Sequence, residues 1–121
     1  MPLVSVGIVT WHSAAYVAEC LAAVRAQSHA PLEVLVADND SRDDTRAVLE
    51  AHTTSGERLY LDRNTGFAAA HNRLIARSRG EFYLALNPDV VLDRHYVARL
   101  VDACLATPRA GSATGKLLRR D

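Results

Sequence analysis

The segment LVSVGIVTWHSAAYVAECLAAVRA, residues 3–26, decides the fold of this chain. Its first part, residues 3–10, is apolar and rich in β-branched residues, which is the pattern of a buried strand. Over residues 14–26 the apolar positions recur instead at helical spacing, with Ser13 placed to cap the helix N-terminus. Because a buried strand leads directly into an amphipathic helix, we expect β-α-β units and a parallel sheet.

The same alternation continues along the rest of the chain. Further strands are predicted at residues 33–37, 58–61, 81–86 and 110–118. Further helices are predicted from a capping box at Ser41 to about His52, over 67–79 with Gly80 at its C′ position, and over 94–106 after a cap at Asp93. The predicted fold is α/β, a three-layer α/β/α Rossmann-like arrangement around a mainly parallel sheet, with no domain boundary within residues 1–121.

Composition and charge narrow the classes of function. Fourteen basic residues balance fourteen acidic ones, so the formal net charge is zero and no whole-domain attraction to nucleic acid is expected. Cys20 and Cys104 form neither a CxxC pair nor a metal-ligand spacing, which favours buried thiols in a reducing compartment. The longest uncharged stretch, residues 3–18, is too short to span a bilayer, and the N-terminus lacks a signal-peptide pattern. We therefore expect a soluble, cytoplasmic domain.

Polar residues follow each of the first four predicted strands at the point where the strand ends. In an open parallel sheet, ligands bind in the crevice beyond the carboxyl ends of the strands. The strand ends read Thr10-Trp11-His12-Ser13, Asp38-Asn39-Asp40-Ser41, Asn64-Thr65-Gly66 and Asn87-Pro88-Asp89. Since the strand interiors are apolar, the sequence predicts one polar binding site at this edge of the sheet.

The first strand end excludes two familiar ways of binding a nucleotide. Residues 10–15 contain no glycine, so the dinucleotide fingerprint is missing, and the P-loop pattern is missing as well. A bound nucleotide is then expected to be held by a carboxylate on its base or ribose and by a cation on its diphosphate. Asp89 is the candidate ligand, because Mg²⁺ commonly takes one or two carboxylates plus waters and phosphates. The alternative is that Asn87-Pro88-Asp89 is only a turn.

Four motifs together resemble the large inverting family of GT-A-fold glycosyltransferases that includes cellulose and chitin synthases. The motifs are VSVGIVT at 4–10, VADNDS at 36–41, NTGFAAAHN at 64–72 and GEFYLALNPD at 80–89. The Asn-Pro-Asp version of the last motif is similar to that of rhamnosyltransferases. The resemblance covers essentially the whole chain and implies that residues 1–121 are the nucleotide-sugar-binding half of a glycosyltransferase domain, with the acceptor half absent.

The resemblance also implies roles for individual residues. The implied donor-binding residues are Thr10, Trp11, His12, Asp38, Asn39, Gly66, Phe67, Asn72 and Asn87. The first three line the nucleobase pocket, Asp38 bonds the base or ribose, and residues 66–72 lie near the diphosphate. Asn87 replaces the first carboxylate of the family's Asp-x-Asp motif, which leaves Asp89 as the main ligand of a Mg²⁺ or Mn²⁺ cofactor.

The implied reaction is transfer of a sugar from a nucleoside-diphosphate sugar to an acceptor hydroxyl with inversion, in cell-surface polysaccharide synthesis. The donor would be dTDP-rhamnose or a UDP-sugar, and the acceptor a saccharide or a lipid-linked molecule. The protein would then be cytoplasmic, peripheral at the inner face of the membrane. No catalytic residue is predicted within the chain, because the family's base lies beyond Asp121 in this alignment of motifs. Residues 1–121 are therefore expected to be inactive alone, and an uncovered strand edge predicts a homodimer.

The sequence also bears on three other functions. A non-catalytic nucleotide-sugar-binding or assembly domain remains the alternative from another class. A receiver domain needs paired acidic residues after the first strand, and a sugar nucleotidyltransferase needs a Gly-rich basic loop there; neither is present. Outside the site, we expect Tyr60 and Tyr83 to be packing residues and His71 to be solvated. Arg42, Arg46 and Arg58 are expected to be ordinary surface charges.

Overall fold

Four strands form one parallel sheet in the computed structural model, which describes residues 1–115. The strands are β1 (Val4–Thr10), β2 (Leu32–Asp38), β3 (Arg58–Tyr60) and β4 (Phe82–Leu86). Their order across the sheet is β3-β2-β1-β4, and each neighbouring pair is parallel. The predicted parallel α/β sheet is confirmed.

Helices cover both faces of the sheet. They are α1 (Val17–Arg25), α2 (Thr45–His52), α3 (Phe67–Arg77) and α4 (Tyr96–Ala106). Side chains alternate along β1, so Val6 and Ile8 join one core cluster with residues of α1, α2 and α4. Val9 points to the other face and joins Ala70 and Leu74 of α3. The chain thus has three layers, as predicted.

The starts of the first two helices differ from the prediction for one physical reason. Ser13 does not cap a helix, because its hydroxyl bonds the backbone of Trp11 and α1 begins only at Val17. The capping box at Ser41 is likewise wrong, since the Ser41 hydroxyl donates to Asp38 and α2 begins further along the chain. Both serines have nonlocal or turn partners that compete with capping.

Gly80 also has a different role from the predicted one. Helix α3 ends before it, with an extended residue, Ser78, at the C-cap. Gly80 instead packs against β1, where an added Cβ would lie 2.6 Å from the backbone nitrogen of Ser5. Asp93 does not cap α4 directly either; its carboxylate accepts the N–H of His95, the residue before the helix. Gly80 is therefore needed for close approach of two backbones.

Three further predictions concern the last strand, the two cysteines and membrane-spanning helices. Residues 110–115 form no strand, and residues 116–118 of the predicted last strand lie outside the described residues. Both cysteines are free; Cys20 is buried and Cys104 is partly buried. Within residues 1–115, the helices are all too short or too polar to cross a membrane.

Candidate functional site

The strand ends of β1 and β2 meet at the predicted edge of the sheet. The register pairs Thr10 with Asp38, and the Thr10 hydroxyl donates to Asp38 Oδ1 at 2.7 Å. The backbone N–H of Asn39 donates to the carbonyl of Thr10 at 2.8 Å. On the other side of β1, Ile8 pairs with Leu86, so residues 87–89 leave β4 toward the same edge. The structure therefore brings the predicted strand-end residues to one edge.

Asp38 is the best-connected side chain of this edge. Its carboxylate is fully buried and accepts four hydrogen bonds. Oδ1 accepts the hydroxyls of Thr10 and Ser41, while Oδ2 accepts the Ser41 N–H at 3.0 Å and Arg46 Nε at 2.8 Å. Burial alone would raise the pKa of Asp38, but the bonds from Arg46, Ser41 and Thr10 outweigh it and hold the pKa below its ordinary value. The direct contact of Asp38 with a nucleoside stays a prediction, and both of its oxygens are already occupied by protein donors.

Arg46 corrects the prediction of an ordinary surface charge. It is two-thirds buried, with 34% of its side chain exposed, and it forms the ion pair with Asp38. Its Nη2 donates to the carbonyl of Leu61 at 2.7 Å, and its guanidinium lies 4.5 Å from the ring centroid of Tyr60. By contrast, Arg42 is 79% exposed and pairs only with Asp40, as expected of a surface charge. The sequence carried no signal for Arg46, because its partners lie on other strands.

Arg58 also differs from the prediction. Only 14% of its side chain is exposed, and Nη2 pairs with Glu50 at 3.1 Å. Its Nη1 donates to the Thr53 carbonyl, and its guanidinium lies 5.9 Å from the Tyr60 ring. Tyr60 therefore lies near two guanidinium groups, which extends its predicted packing role.

The loop after β1 presents two aromatic rings to solvent. Trp11 is 53% exposed and stacks on His12, with ring centroids 4.0 Å apart and an interplanar angle of 21°. His12 has a left-handed backbone, φ 50°, and its N–H donates to Ser41 Oγ at 2.9 Å. The next N–H, of Ser13, donates to Thr45 Oγ1 at 2.8 Å. Hydrogen bonds to the backbone therefore fix the loop while both rings remain exposed.

Asn39 fastens the end of β2 to the turn before α3. Its Nδ2 donates to the carbonyl of Gly66 at 3.1 Å, and its Oδ1 accepts the N–H and the hydroxyl of Thr65. Gly66 has φ 87°, a left-handed conformation that favours glycine, and it precedes α3 without a side-chain cap. Phe67 and Asn72 of α3 are exposed. The turn is thus held from the β2 side, and the first turn of α3 carries no capping side chain.

Asn87 and Asp89 form a more open region at the end of β4. Both residues are exposed, and the Asn87 carbonyl accepts the N–H of Val90 at 3.2 Å in a turn. The Cys20 thiol lies 3.6 Å from the same carbonyl, and its burial, together with the nearby charge of Asp89, raises its pKa to about 12. Within the part of the chain that the structure describes, no three acidic, histidine or cysteine side chains are grouped to hold a metal ion.

The donor atoms of this region nonetheless fit a divalent cation. Asn87 and Asp89 supply an amide oxygen and a carboxylate, which are the ligand types of Mg²⁺ and Mn²⁺. Mg²⁺ is usually bound through one or two carboxylates, with waters and substrate phosphates completing its octahedron. A site shared with a diphosphate therefore needs no larger cluster of protein ligands.

His71 is not solvated as predicted. It is 5% exposed, its Nδ1 lies 2.7 Å from the hydroxyl of Tyr83, and burial lowers its pKa. Tyr83 packs as expected, and its hydroxyl occupies the space beside Gly7, where an added Cβ would lie 1.8 Å away. The ring of Phe67 meets His71 edge-on, 4.5 Å between centroids. His71 thus packs against Phe67 and Tyr83, and its Nε2 has no hydrogen-bond partner among the described residues.

Comparisons with known proteins agree with this geometry. Residues 5–118 match the model of the family described as Glycosyl transferase family 2. The N-acetylglucosaminyl-diphospho-decaprenol L-rhamnosyltransferase of Mycobacterium tuberculosis is 31% identical over 98% of this chain and 41% of its own length. The chain spans less than half the length of the curated relatives compared.

Solved structures share the fold. The mannosyltransferase PcManGT from Pyrobaculum calidifontis, in complex with GDP-Man and Mn²⁺, matches with a TM-score of 0.79 at 24% identity, over 85% of this chain and 32% of that one. TarS 1–349 of S. aureus, in complex with UDP-GlcNAc, matches with a TM-score of 0.74 at 22% identity, over 85% of this chain and 31% of that one. At these identities the likeness describes the fold alone.

Proposed function

The chain belongs to glycosyl transferase family 2, and on this premise we propose that it binds a nucleoside-diphosphate sugar at the carboxyl edge of its sheet. The observation that carries the proposal is the hydrogen-bonded junction of β1, β2 and β3 around Asp38, which shapes this edge before any ligand arrives. The fold is the GT-A type that the four sequence motifs indicated. Preorganised sites of this kind lose little entropy when the ligand binds.

The nucleoside end of the donor is assigned to the loop after β1. Trp11 and His12 present stacked, exposed rings beside Thr10, and an aromatic face stacks on any base. Asn39 lies behind them and holds the neighbouring turn. We assign Thr10, Trp11 and His12 to the nucleobase pocket, with Asp38 and Asn39 supporting its floor.

The diphosphate is assigned to the region between α3 and the end of β4. The first turn of α3 has no side-chain cap, and the free N–H groups and positive dipole of a helix N-terminus favour an anion. Asp89 would hold Mg²⁺ or Mn²⁺ against the phosphate oxygens, with Asn87 as a neutral neighbour. The cation would offset the charge of the departing nucleoside diphosphate. Gly66, Phe67 and Asn72 line the helix side of this region.

For the whole protein we propose transfer of the sugar to an acceptor hydroxyl with inversion, in cell-surface polysaccharide synthesis. This chain spans less than half the length of the relatives that it matches, so we propose that the general base and the acceptor groove belong to the part of those proteins that residues 1–121 do not cover. The rhamnosyltransferase relative and the UDP-GlcNAc-bound neighbour make dTDP-rhamnose and UDP-sugars the first donors to test. A saccharide or lipid-linked molecule is the proposed acceptor.

Calorimetric titration tests the proposal directly. UDP, dTDP, GDP and their sugars would be titrated into residues 1–121 with Mn²⁺ or with EDTA. We expect binding of at least one nucleoside diphosphate that tightens with Mn²⁺, and Asp89→Ala should remove the tightening while leaving metal-free binding unchanged. Asp102→Ala is the matched control, because Asp102 is an exposed carboxylate on α4.

Two results would count against the proposal in different ways. If none of the nucleotides binds under either condition, the donor-binding function is wrong. If binding occurs but Asp89→Ala retains the full Mn²⁺ effect, the donor site stands and the assignment of the cation to Asp89 is wrong.

A further inference from the structure

We infer that the buried Asp38–Arg46 pair positions the nucleobase loop and does not itself contact the donor. The inference rests on the proposed function, which it deepens by naming what fixes the shape of the pocket. It concerns a positioning role, because both carboxylate oxygens of Asp38 already accept protein hydrogen bonds and its side chain is fully buried.

The pair reaches the nucleobase loop, residues 11–13, through the hydroxyl of Ser41, in addition to the bond from Thr10 at the end of β1. Ser41 Oγ donates to Asp38 Oδ1 at 2.6 Å and accepts the N–H of His12 at 2.9 Å. His12 has φ 50°, a conformation that is unfavourable for a residue with a Cβ and persists only when its surroundings enforce it. Asp38 therefore determines the position of the acceptor that holds His12, and with it the stack on Trp11.

Arg46 makes this arrangement sustainable at neutral pH. A carboxylate removed from water requires a cation and a full set of donors. Arg46 supplies the cation and one donor at 2.8 Å, and Thr10 and Ser41 supply the other three hydrogen bonds. The guanidinium also bonds the Leu61 carbonyl and lies over Tyr60, while the Leu61 N–H donates to the Asp38 carbonyl. Arg46 thus fixes the end of β3 against the end of β2.

Lysine could not replace Arg46 in this geometry. Nε of Arg46 donates to the Asp38 carboxylate, while Nη2 of the same planar group donates to the carbonyl of Leu61, the residue after β3. The rigid guanidinium therefore connects the ends of two strands. An ammonium group is a compact charge without that fork. We therefore expect Arg46→Lys to retain the positive charge and still loosen the loop.

The test uses the single tryptophan of the chain as its reporter. Trp11 is the one tryptophan, it is half-exposed, and it lies in the loop whose position is in question. Arg46→Lys and Arg46→Met would be compared with Arg42→Met, which removes an arginine that is 79% exposed and pairs with Asp40. Circular dichroism would first establish a temperature at which every variant is folded.

At that temperature we expect two changes in both Arg46 variants. Trp11 fluorescence should become less anisotropic and more easily quenched by acrylamide. Affinity for the nucleoside diphosphate that binds the wild type should fall about tenfold, because a loosened loop must be ordered when the ligand binds. Arg42→Met should match the wild type in both measurements. The double variant Asp38→Asn/Arg46→Met has no buried charge at this pair, and the amide oxygen that replaces the carboxylate can still accept the Ser41 hydroxyl. Its Trp11 fluorescence and its nucleotide affinity should therefore both move back toward the wild-type values.

The outcomes separate the inference from the function on which it rests. If the Arg46 variants are folded and less stable but keep wild-type Trp11 quenching and affinity, the pair is merely structural and the inference is overturned. If the wild type binds no nucleotide, the proposed function fails. The quenching comparison would still show whether Arg46 holds the loop.

Discussion

The two ends of the carboxyl edge are built in opposite ways. Around Asp38, at the ends of β1 and β2, the polar side chains are buried and bonded to one another. Around Asp89, after β4, the residues are exposed, and β4 pairs on one side only within the described sheet. On the proposed function, a donor would therefore meet a preformed site at the Asp38 end, and its own diphosphate would complete the cation site at the Asp89 end. On that basis, we expect shape to govern binding of the nucleoside at the first end and charge to govern binding of the diphosphate at the second.

The largest expected difference between the two ends is in stability. Asp38→Ala leaves Arg46 without its counter-charge and two hydroxyls without their acceptor, so it should lower the free energy of unfolding by about 3–5 kcal/mol. Asp89→Ala removes an exposed side chain and should change it by less than about 0.5 kcal/mol. Urea denaturation measures both. Equal losses would mean that the two ends are not built differently.

A second substitution loosens the attachment of β4 without touching either set of polar residues. Gly80→Ala places a methyl group 2.6 Å from the Ser5 nitrogen, which is backbone and cannot move aside cheaply. The expected cost is about 1–3 kcal/mol, typical of overpacking. Gly56→Ala is the control, because the nearest atom to its added Cβ would be the Thr54 hydroxyl oxygen, 4.0 Å away. Thermal unfolding of the two variants should differ clearly; a Gly80→Ala protein as stable as Gly56→Ala would show that the β1 backbone can yield.

The open end can be strengthened by adding charge. Asn87→Asp supplies a second carboxylate beside Asp89 without filling space in the core, since Asn87 is exposed. We expect Mn²⁺ to tighten nucleoside-diphosphate binding by up to about tenfold more than in the wild type, or about 1.4 kcal/mol. Titrations at several Mn²⁺ concentrations measure this, with EDTA as the control. An unchanged Mn²⁺ effect would indicate that the cation binds elsewhere.

The smallest expected effect is a pH dependence contributed by His71, which lies beneath Phe67 between the two ends. Burial lowers its folded pKa below 6.5, so the unfolded chain takes up a proton first as the pH falls. This contribution to stability is complete above pH 6.5 and is lost as the pH falls toward the folded pKa. His71→Gln should flatten the stability profile just below pH 6.5, measured by urea midpoints. If the His71→Gln variant keeps the wild-type slope of stability against pH below pH 6.5, the pH dependence comes from another group.

The elements that follow from the spacing of apolar residues could be predicted from the sequence. The buried strand pattern of residues 3–10 and the helical spacing after it gave the layers correctly, and four weak motifs in register identified the family that the comparisons show. The edge where Thr10 and Asp38 meet follows from their positions at strand ends.

Pairings between distant segments could not be predicted in this way. Ser13 and Ser41 have the local pattern of helix caps, but their hydroxyls donate to Trp11 and Asp38 in tight turns, and the Ser41 hydroxyl also accepts the N–H of the distant His12. Arg46 and His71 have the composition of surface residues, and only the approach of Asp38 and Tyr83 buries them. The cation site, the acceptor half and the homodimer stay predictions.

The order of the strands has a consequence for how the chain folds. The hydrogen bond from Ser5 to Glu33 spans 28 positions, whereas the one from Gly80 to Ser5 spans 75. Contacts that close shorter loops form earlier at lower entropic cost, so β1 and β2 should meet before β4 docks. On a ribosome, the Asp38 junction could then assemble while β4 is still being synthesised. The buried polar residues around Asp38 would then already be in place when β4 docks against β1 and brings Asp89 to the same edge.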